Sequence, residues 1–416
     1  MSAPFLLVLI VAGAYLAAHW AFERLGDRFL LVSGAEYLLL GILLGPQVSG
    51  LLHASVLDGF APFMTLALGW IGAVVGSHFY VPLLVRTRTV LYTVAFTQAV
   101  LTLVVCSGLL IGALAWLYEL PLPDTVAPAV ALAAIAVASS PAGVALLTRH
   151  RVRRGLVVRQ IEVATDIDAF TAIIAFSLLL CVAHEAPQSA VRAPTPTEWA
   201  VISVAIGFVG GALFHLFVGS ERNVDRLFVS IAGAVILASG AAAYLKLSPL
   251  LPAMLIGALL VNTTRNRDEI REALMRVERP FYFVLLIFAG AAWDPGTTAW
   301  WIIPALVFLV TRTFTKLVSA RLAARLNGMI PLLGPHWGRA LLGQGGLAIA
   351  IALNYHLFHG SLLFPDVVFT AAIVSVMATE LSSARLVHSV VRRYTRRIFE
   401  TPTPAEPHPA LPPDQR

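Results

Sequence analysis

Seven ionisable residues interrupt apolar runs long enough to cross a bilayer, and these residues could do chemistry. Glu162, Asp166 and Asp168 lie in Glu162-Val163-Ala164-Thr165-Asp166-Ile167-Asp168-Ala169-Phe170. Arg312 and Lys316 lie in a second run, Glu380 in a third and Glu36 in a fourth. A charge near the bilayer centre costs about 2.5–3.5 kcal/mol on insertion scales, so each is a functional candidate by default. A buried carboxylate can hold a proton or a cation, and a buried ammonium can neutralise a carboxylate or the carbonyl end of a helix. Ion pairs that merely lock a bundle are the competing explanation, and Glu162 and Arg312 can reach an interface by snorkelling.

Helical phase separates the two aspartates. Positions 166 and 168 lie roughly 200° apart around a helix, so both cannot face one cavity. Glu162 and Asp166 are four apart and share a face, as do Arg312 and Lys316. Counted from the ends of their runs, Asp166, Lys316 and Glu380 fall in one layer, slightly to one side of centre. The expectation is that Asp166, with Thr165 beside it, binds a cation or a proton. Asp168 is the alternative principal carboxylate, and Lys316 and Arg312 compensate charge. Glu162, Glu380 and Glu36 are supporting candidates.

Two sequences predict broken helices at the same depth. In Ala138-Ser139-Ser140-Pro141-Ala142-Gly143, Pro141 removes a backbone donor and disturbs the preceding turn. In Leu342-Gly343-Gln344-Gly345-Gly346-Leu347, three glycines weaken a second helix. Irregular backbone at membrane depth persists only where it is buried in protein or lines a cavity. The interruptions fall in oppositely directed spans, the pattern of an inverted repeat whose discontinuous helices cross at a transport site. Ser139 and Ser140 are therefore candidate ion ligands, and Pro141, Gln344, Gly345 and Gly346 candidate breaks.

The elements that position these residues follow from composition. The 416 residues are 58% hydrophobic and 12% charged, with a mean hydropathy of +0.82. Soluble chains carry roughly 25% charge, so this composition excludes a soluble enzyme, a nucleic-acid binder and a disordered scaffold. At roughly 20 residues per span, about thirteen stretches qualify. They are 3–20, 28–53, 59–85, 88–118, 125–148, 158–184, 197–218, 226–244, 247–263, 279–295, 297–325, 337–357 and 363–391. Of 29 Lys and Arg, 25 fall in alternate loops or the tail, and only Arg192 and Lys246 in the others. That asymmetry predicts an outside N-terminus and a cytoplasmic C-terminus. It also accounts for the basic balance without nucleic acid. Cys106 and Cys181 read as small buried hydrophobes. No His-Glu-x-x-His, P-loop or nucleophile–base constellation is visible, so no enzyme activity and no cofactor are expected.

These residues carry a resemblance to the monovalent cation:proton antiporter superfamily, nearest its bacterial sodium/proton and potassium-efflux branch. Gly34-Ala35-Glu36-Tyr37-Leu38-Leu39-Leu40-Gly41-Ile42-Leu43-Leu44-Gly45-Pro46 resembles the family's second helix. Ser139-Ser140-Pro141-Ala142 resembles its first broken helix, Thr165-Asp166 its acidic pair, Lys316 its basic position and Gln344-Gly345-Gly346 its second broken helix. Thr at 165 and Leu at 347 depart from the usual pattern, and Ile167-Asp168 offers a second alignment of the pair. The regulatory nucleotide-binding domain of potassium-efflux members is missing.

The resemblance implies an all-α membrane protein of about 13 helices in inverted repeats, with two crossing discontinuous helices. It implies scaffold and dimerisation helices over 1–85 and 185–296 and a moving core over 86–184 and 297–391. A disordered cytoplasmic tail is expected over 392–416. The implied activity is exchange of Na+ or K+ for protons by alternating access, in a homodimer in a bacterial inner membrane, with the cation at Asp166. Lys316 is expected either to pair with Asp166 in the empty state or only to neutralise half-helix ends. An ion-coupled organic solute symporter and a transport-inactive sensor are the alternative readings on the same fold.

Overall fold

The computed structural model describes residues 34–140, 156–184, 194–218, 224–264, 267–294, 296, 299–357 and 364–400. Among them are fourteen α-helices, two 3₁₀ turns and no strand. In chain order the helices are α1 (Ala35–Leu44), α2 (Ala54–Ser77), α3 (Val81–Arg86), α4 (Thr89–Tyr118), α5 (Leu122–Val137), α6 (Leu156–Val182) and α7 (Pro196–Val218). Then come α8 (Val224–Tyr244), α9 (Leu250–Thr263), α10 (Arg267–Ala291), α11 (Ile302–Leu326), α12 (Ile330–Leu333), α13 (Gly346–Leu357) and α14 (Pro365–Glu400). Lipid offers no hydrogen bonds to a backbone, so a spanning segment satisfies its own amides by becoming a helix.

The helices sort by what their faces meet. On α4 the buried positions Leu91, Ala95, Gln98, Thr102, Cys106 and Leu110 recur at three- and four-residue steps, while Phe96, Val104, Leu109 and Trp116 stay exposed. That is one packed stripe and one face left to lipid. One buried cluster joins α2, α7, α8, α9 and α10 through Trp70, Phe214, Ile231, Ile256 and Leu274. A second joins α4, α6, α11, the 3₁₀ turn Trp337–Leu341 and α14 through Val94, Ile161, Ala323, Trp337 and Val387. A third, larger cluster lies between them and contains α5 and α13, whose residues Ala133–Val137 and Ala348–Leu353 are 0% exposed. The ends of the two helices predicted to be broken are thus enclosed in protein.

The predicted spans map onto these helices, with informative differences. Among the described residues, six helices are long and apolar enough to cross a membrane, seven if α14, bent by 50° between Glu380 and Arg385, counts as one span. The shorter apolar helices α5, α9 and α13 fill three further predicted stretches. The first stretch, 3–20, lies outside the described residues. Helix α10 begins at Arg267, twelve residues before the predicted start at 279. Its polar half is amphipathic: Ile270, Ala273 and Leu274 are buried, while Glu272 and Arg276 pair at 2.9 Å on the exposed face. A window tuned to apolar content misses such a turn. Helix α14 continues through residues 392–400, expected in the tail, because no proline or glycine stops it before Pro402. Residues 401–416 lie outside the described residues.

Two helix pairs approach so closely that only glycine fits. A Cβ on Gly257 of α9 would collide with the Ala73 carbonyl of α2, and one on Gly76 with the Met254 carbonyl of α9. Gly41 of α1 and Gly290 of α10 meet the carbonyls of Ile287 and Leu38 in the same reciprocal way. Small residues of this kind let membrane helices pack backbone to backbone. Gly257→Leu should therefore cost at least the ~1–3 kcal/mol of an overpacked core, seen as a lowered Tm of the detergent-solubilised protein. Gly233→Leu, at an exposed position with open space around it, should leave Tm unchanged.

Candidate ion-translocation site

Helix α5 stops at Val137. Ala138 adopts an extended conformation (φ −56°, ψ 127°), and Ser139 and Ser140 are non-helical. Ser140 precedes proline in the sequence, and a residue before proline is pushed out of the α region. Pro141 itself lies outside the described residues. The truncated helix leaves carbonyls without intrahelical donors, and side chains supply them. Gln344 Nε2 donates to Ile135 O at 3.1 Å, Lys316 Nζ to Val137 O at 2.6 Å and Arg312 Nη2 to Ala138 O at 3.5 Å.

The second break runs from Leu342 to Gly345, between the 3₁₀ turn and α13. It touches the first directly: Ser140 N donates to Gly343 O at 2.9 Å, and a Cβ on Gly345 would press on the Ser140 side chain. Arg312 Nη1 donates to Leu342 O at 2.7 Å, so one guanidinium spans both breaks. Gln344, buried, accepts from Ser375 Oγ at 2.6 Å, which ties the second break to α14.

Asp168 stands at this crossing. Its side chain and that of Lys316 are 0% exposed, with Lys316 Nζ 2.8 Å from Oδ2. Ser139 Oγ donates to the same oxygen at 2.7 Å and also lies 3.1 Å from Leu341 O. The Gln98 amide, oriented by its neighbours, donates to Asp168 Oδ1 at 3.2 Å. Its oxygen accepts from Lys316 Nζ at 3.3 Å and Thr102 Oγ1 at 3.2 Å. A carboxylate thus sits among a lysine, a hydroxyl and an amide, against an unwound backbone. A buried charge pair with every partner supplied is the arrangement that survives in low dielectric.

The other predicted residues separate. Asp166 faces away from Asp168, as their phase requires; its carboxylate is 40% exposed and meets His78 Nδ1, at the end of α2, at 2.9 Å. Of the two expectations for Lys316, a pair with Asp166 is not what the structure shows: the lysine pairs with Asp168, and it also caps the half-helix end. Thr165 is buried, and its hydroxyl donates to Ile161 O of its own helix at 2.8 Å. Glu162 forms a half-exposed pair with Arg159 at 3.4 Å, and Arg159 also reaches Thr87 Oγ1 at 3.0 Å. Arg312, for which snorkelling was one expectation, is fully buried. Glu380 is buried in α14, and Glu36 is half-buried in α1.

Sequence reasoning missed three contributors. Gln98 carries no charge and escaped a search for charges, although a glutamine four residues before Thr102 on the buried stripe was a usable signal. His78, within the predicted span 59–85, was not among the residues singled out. Tyr282 packs its ring against Gly34 and Gly346, a contact between distant segments that no local pattern announces.

Two interrupted helices joined backbone to backbone inside a multi-pass bundle, with a buried Asp–Lys pair across them, define a membrane protein of the secondary-transporter class. A family profile described as "Sodium/hydrogen exchanger, transmembrane" matches residues 6–388, and the chain belongs to that family. The family is one of transporters. Among solved structures, the chain is similar to the sodium proton antiporter MjNhaP1 from Methanocaldococcus jannaschii at pH 8. The TM-score is 0.70 with 14% identity over 94% of this chain and 100% of that one. An electron-microscopy structure of the same antiporter gives a TM-score of 0.67 and 13% identity, covering 97% and 100%. At these identities the likeness establishes the fold. No curated protein matches the chain in a sequence comparison.

Removing one partner of a buried pair strands the other. Lys316→Met should destabilise the solubilised protein by about 3–5 kcal/mol, read as a fall in Tm. Lys316→Met with Asp168→Asn should recover much of that loss, giving a large coupling in a double-mutant cycle; additive losses would show that the pair is not coupled.

Proposed function

We propose that this chain exchanges a monovalent cation, Na+ or K+, for protons by alternating access, with Asp168 as the principal carboxylate. The observation that supports this most is the 2.8 Å Asp168–Lys316 pair at the crossing. A cation arriving at Asp168 competes for the oxygen that Lys316 and Ser139 hold. An ammonium stripped of its carboxylate in the interior costs several kcal/mol, which drives its proton out towards water. Cation and proton then compete at one place, and competition is the core of exchange. Membership of the sodium/hydrogen exchanger family and the likeness to a sodium proton antiporter support this reading.

The moving part is read as α4–α6 with α11, α13 and α14, and the scaffold as α1–α3 with α7–α10. Two of the buried clusters each stay within one group, which supports that division, and the third crosses it. The scaffold is read as the surface of a homodimer. The arginine distribution supports an outside N-terminus and a cytoplasmic C-terminus in a bacterial inner membrane. Asp166, paired with His78 on the neighbouring helix, is read as a secondary station at the seam between the two groups.

Proteoliposomes loaded with a pH dye and challenged with Na+, K+ and Li+ test the reading. Proton movement should follow cation addition in the wild type and disappear in Asp168→Asn. Asp166→Asn should weaken exchange without abolishing it. Exchange that survives Asp168→Asn but not Asp166→Asn would move the ion to Asp166.

A further inference from the structure

Glu380 is a buried charge that exchange at Asp168 leaves unused. It lies within α14 at 3% exposure, and neither carboxylate oxygen has a hydrogen-bond partner among the described residues. The other buried charges of the crossing are engaged, Asp168 with Lys316 and Arg312 with the carbonyls of Leu342 and Ala138. An ionised carboxylate with no donor in such a place carries a penalty of several kcal/mol, which a bound proton or cation removes.

Its surroundings come from several elements. Ser140 of the first break lies beside it, and Arg312 of α11 and Glu36 of α1 lie within electrostatic reach. Tyr282 of α10 is coupled to Glu380, Glu36 and Glu278. The packing agrees. A Cβ on Gly343 would strike the Ser383 side chain, three residues beyond Glu380 on α14, so α14 lies directly on the second break. The Tyr282 ring presses on Gly346 at the start of α13 and on Gly34 just before α1. Glu380 is therefore within electrostatic reach of Glu36 of α1 and Tyr282 of α10, helices of the proposed scaffold, whereas Asp168 of α6 meets Gln98 of α4, Ser139 of the first break and Lys316 of α11.

We propose that Glu380 is a second exchangeable carboxyl, which carries a proton in this state and takes a monovalent cation in its place. Its role in transport rests on the exchange reading above; its occupancy does not. As the cation binds, the O–H bond of Glu380 breaks and the proton passes to water. The charge of the site is the same before and after. The like-signed Glu36 opposes a bare carboxylate there and favours either occupant.

The test uses purified full-length protein and needs no transport. Infrared difference spectra at neutral pH should show a protonated-carboxyl band that fades on adding Na+ or K+. The band should vanish in Glu380→Gln and persist, shifted, in Glu380→Asp. With a pH dye in detergent, protons released per protein at saturating cation should fall by roughly half in Glu380→Gln, one of two carboxyl sites being gone. A band that remains in Glu380→Gln, a band that cations do not alter, or unchanged proton release would overturn the proposal. A wild type without flux would count against the exchange reading alone.

Discussion

The carbonyl end of α5 is the constraint on which the rest of the structure depends. A helix that stops inside a membrane leaves acceptors that neither lipid nor its own next turn can satisfy. Here Lys316, Arg312 and Gln344 satisfy them, and two of those carry positive charge. The negative end of the half-helix complements those cations, and Asp168 completes the neutralisation of Lys316. The proposed ion site is thus a by-product of solving a backbone problem. Removing any one member leaves another unsatisfied, which is why the two breaks, α6 and α11 behave as one unit.

On the exchange reading, that solution would also make the site exchangeable. Asp168 Oδ2 is shared by a lysine and a serine, both of which have a second acceptor within reach: Val137 O for Lys316, Leu341 O for Ser139. When a cation takes the carboxylate, both donors keep a partner. The cost of displacement is lowered from that of an abandoned polar group to that of a rearranged one. Gln98, which bridges the carboxylate and the ammonium, can follow either.

Much of this was legible in the sequence, because the membrane makes polar residues conspicuous. The breaks at 138–140 and 342–345 followed from Ser-Ser-Pro and Gly-x-Gly-Gly, whose backbone preferences are local. Lys316 and Arg312 stood out as charges that apolar surroundings must explain. The choice between Asp166 and Asp168 did not follow. Phase said that the two face apart, but which face meets the crossing depends on how α6 is rotated against α5, and packing sets that rotation. Gln98 went unnoticed because an amide costs less to bury than a charge. The length of α10 was missed because its first half has a stripe of apolar residues rather than a run of them.

The glycine contacts carry a consequence for how the molecule changes shape. Where α2 meets α9 and α1 meets α10, one helix's missing side chain receives the other's carbonyl, twice over and in both directions. Such a joint resembles a mortise: neither helix can slide along the other without driving an oxygen into a backbone. The contacts of α13 with Tyr282 are of another kind, a ring lying on a glycine, and a flat ring can glide. On the exchange reading, displacement between inward-open and outward-open forms would be channelled to the surface that α10 shares with α13, with the jointed pairs travelling as rigid planks.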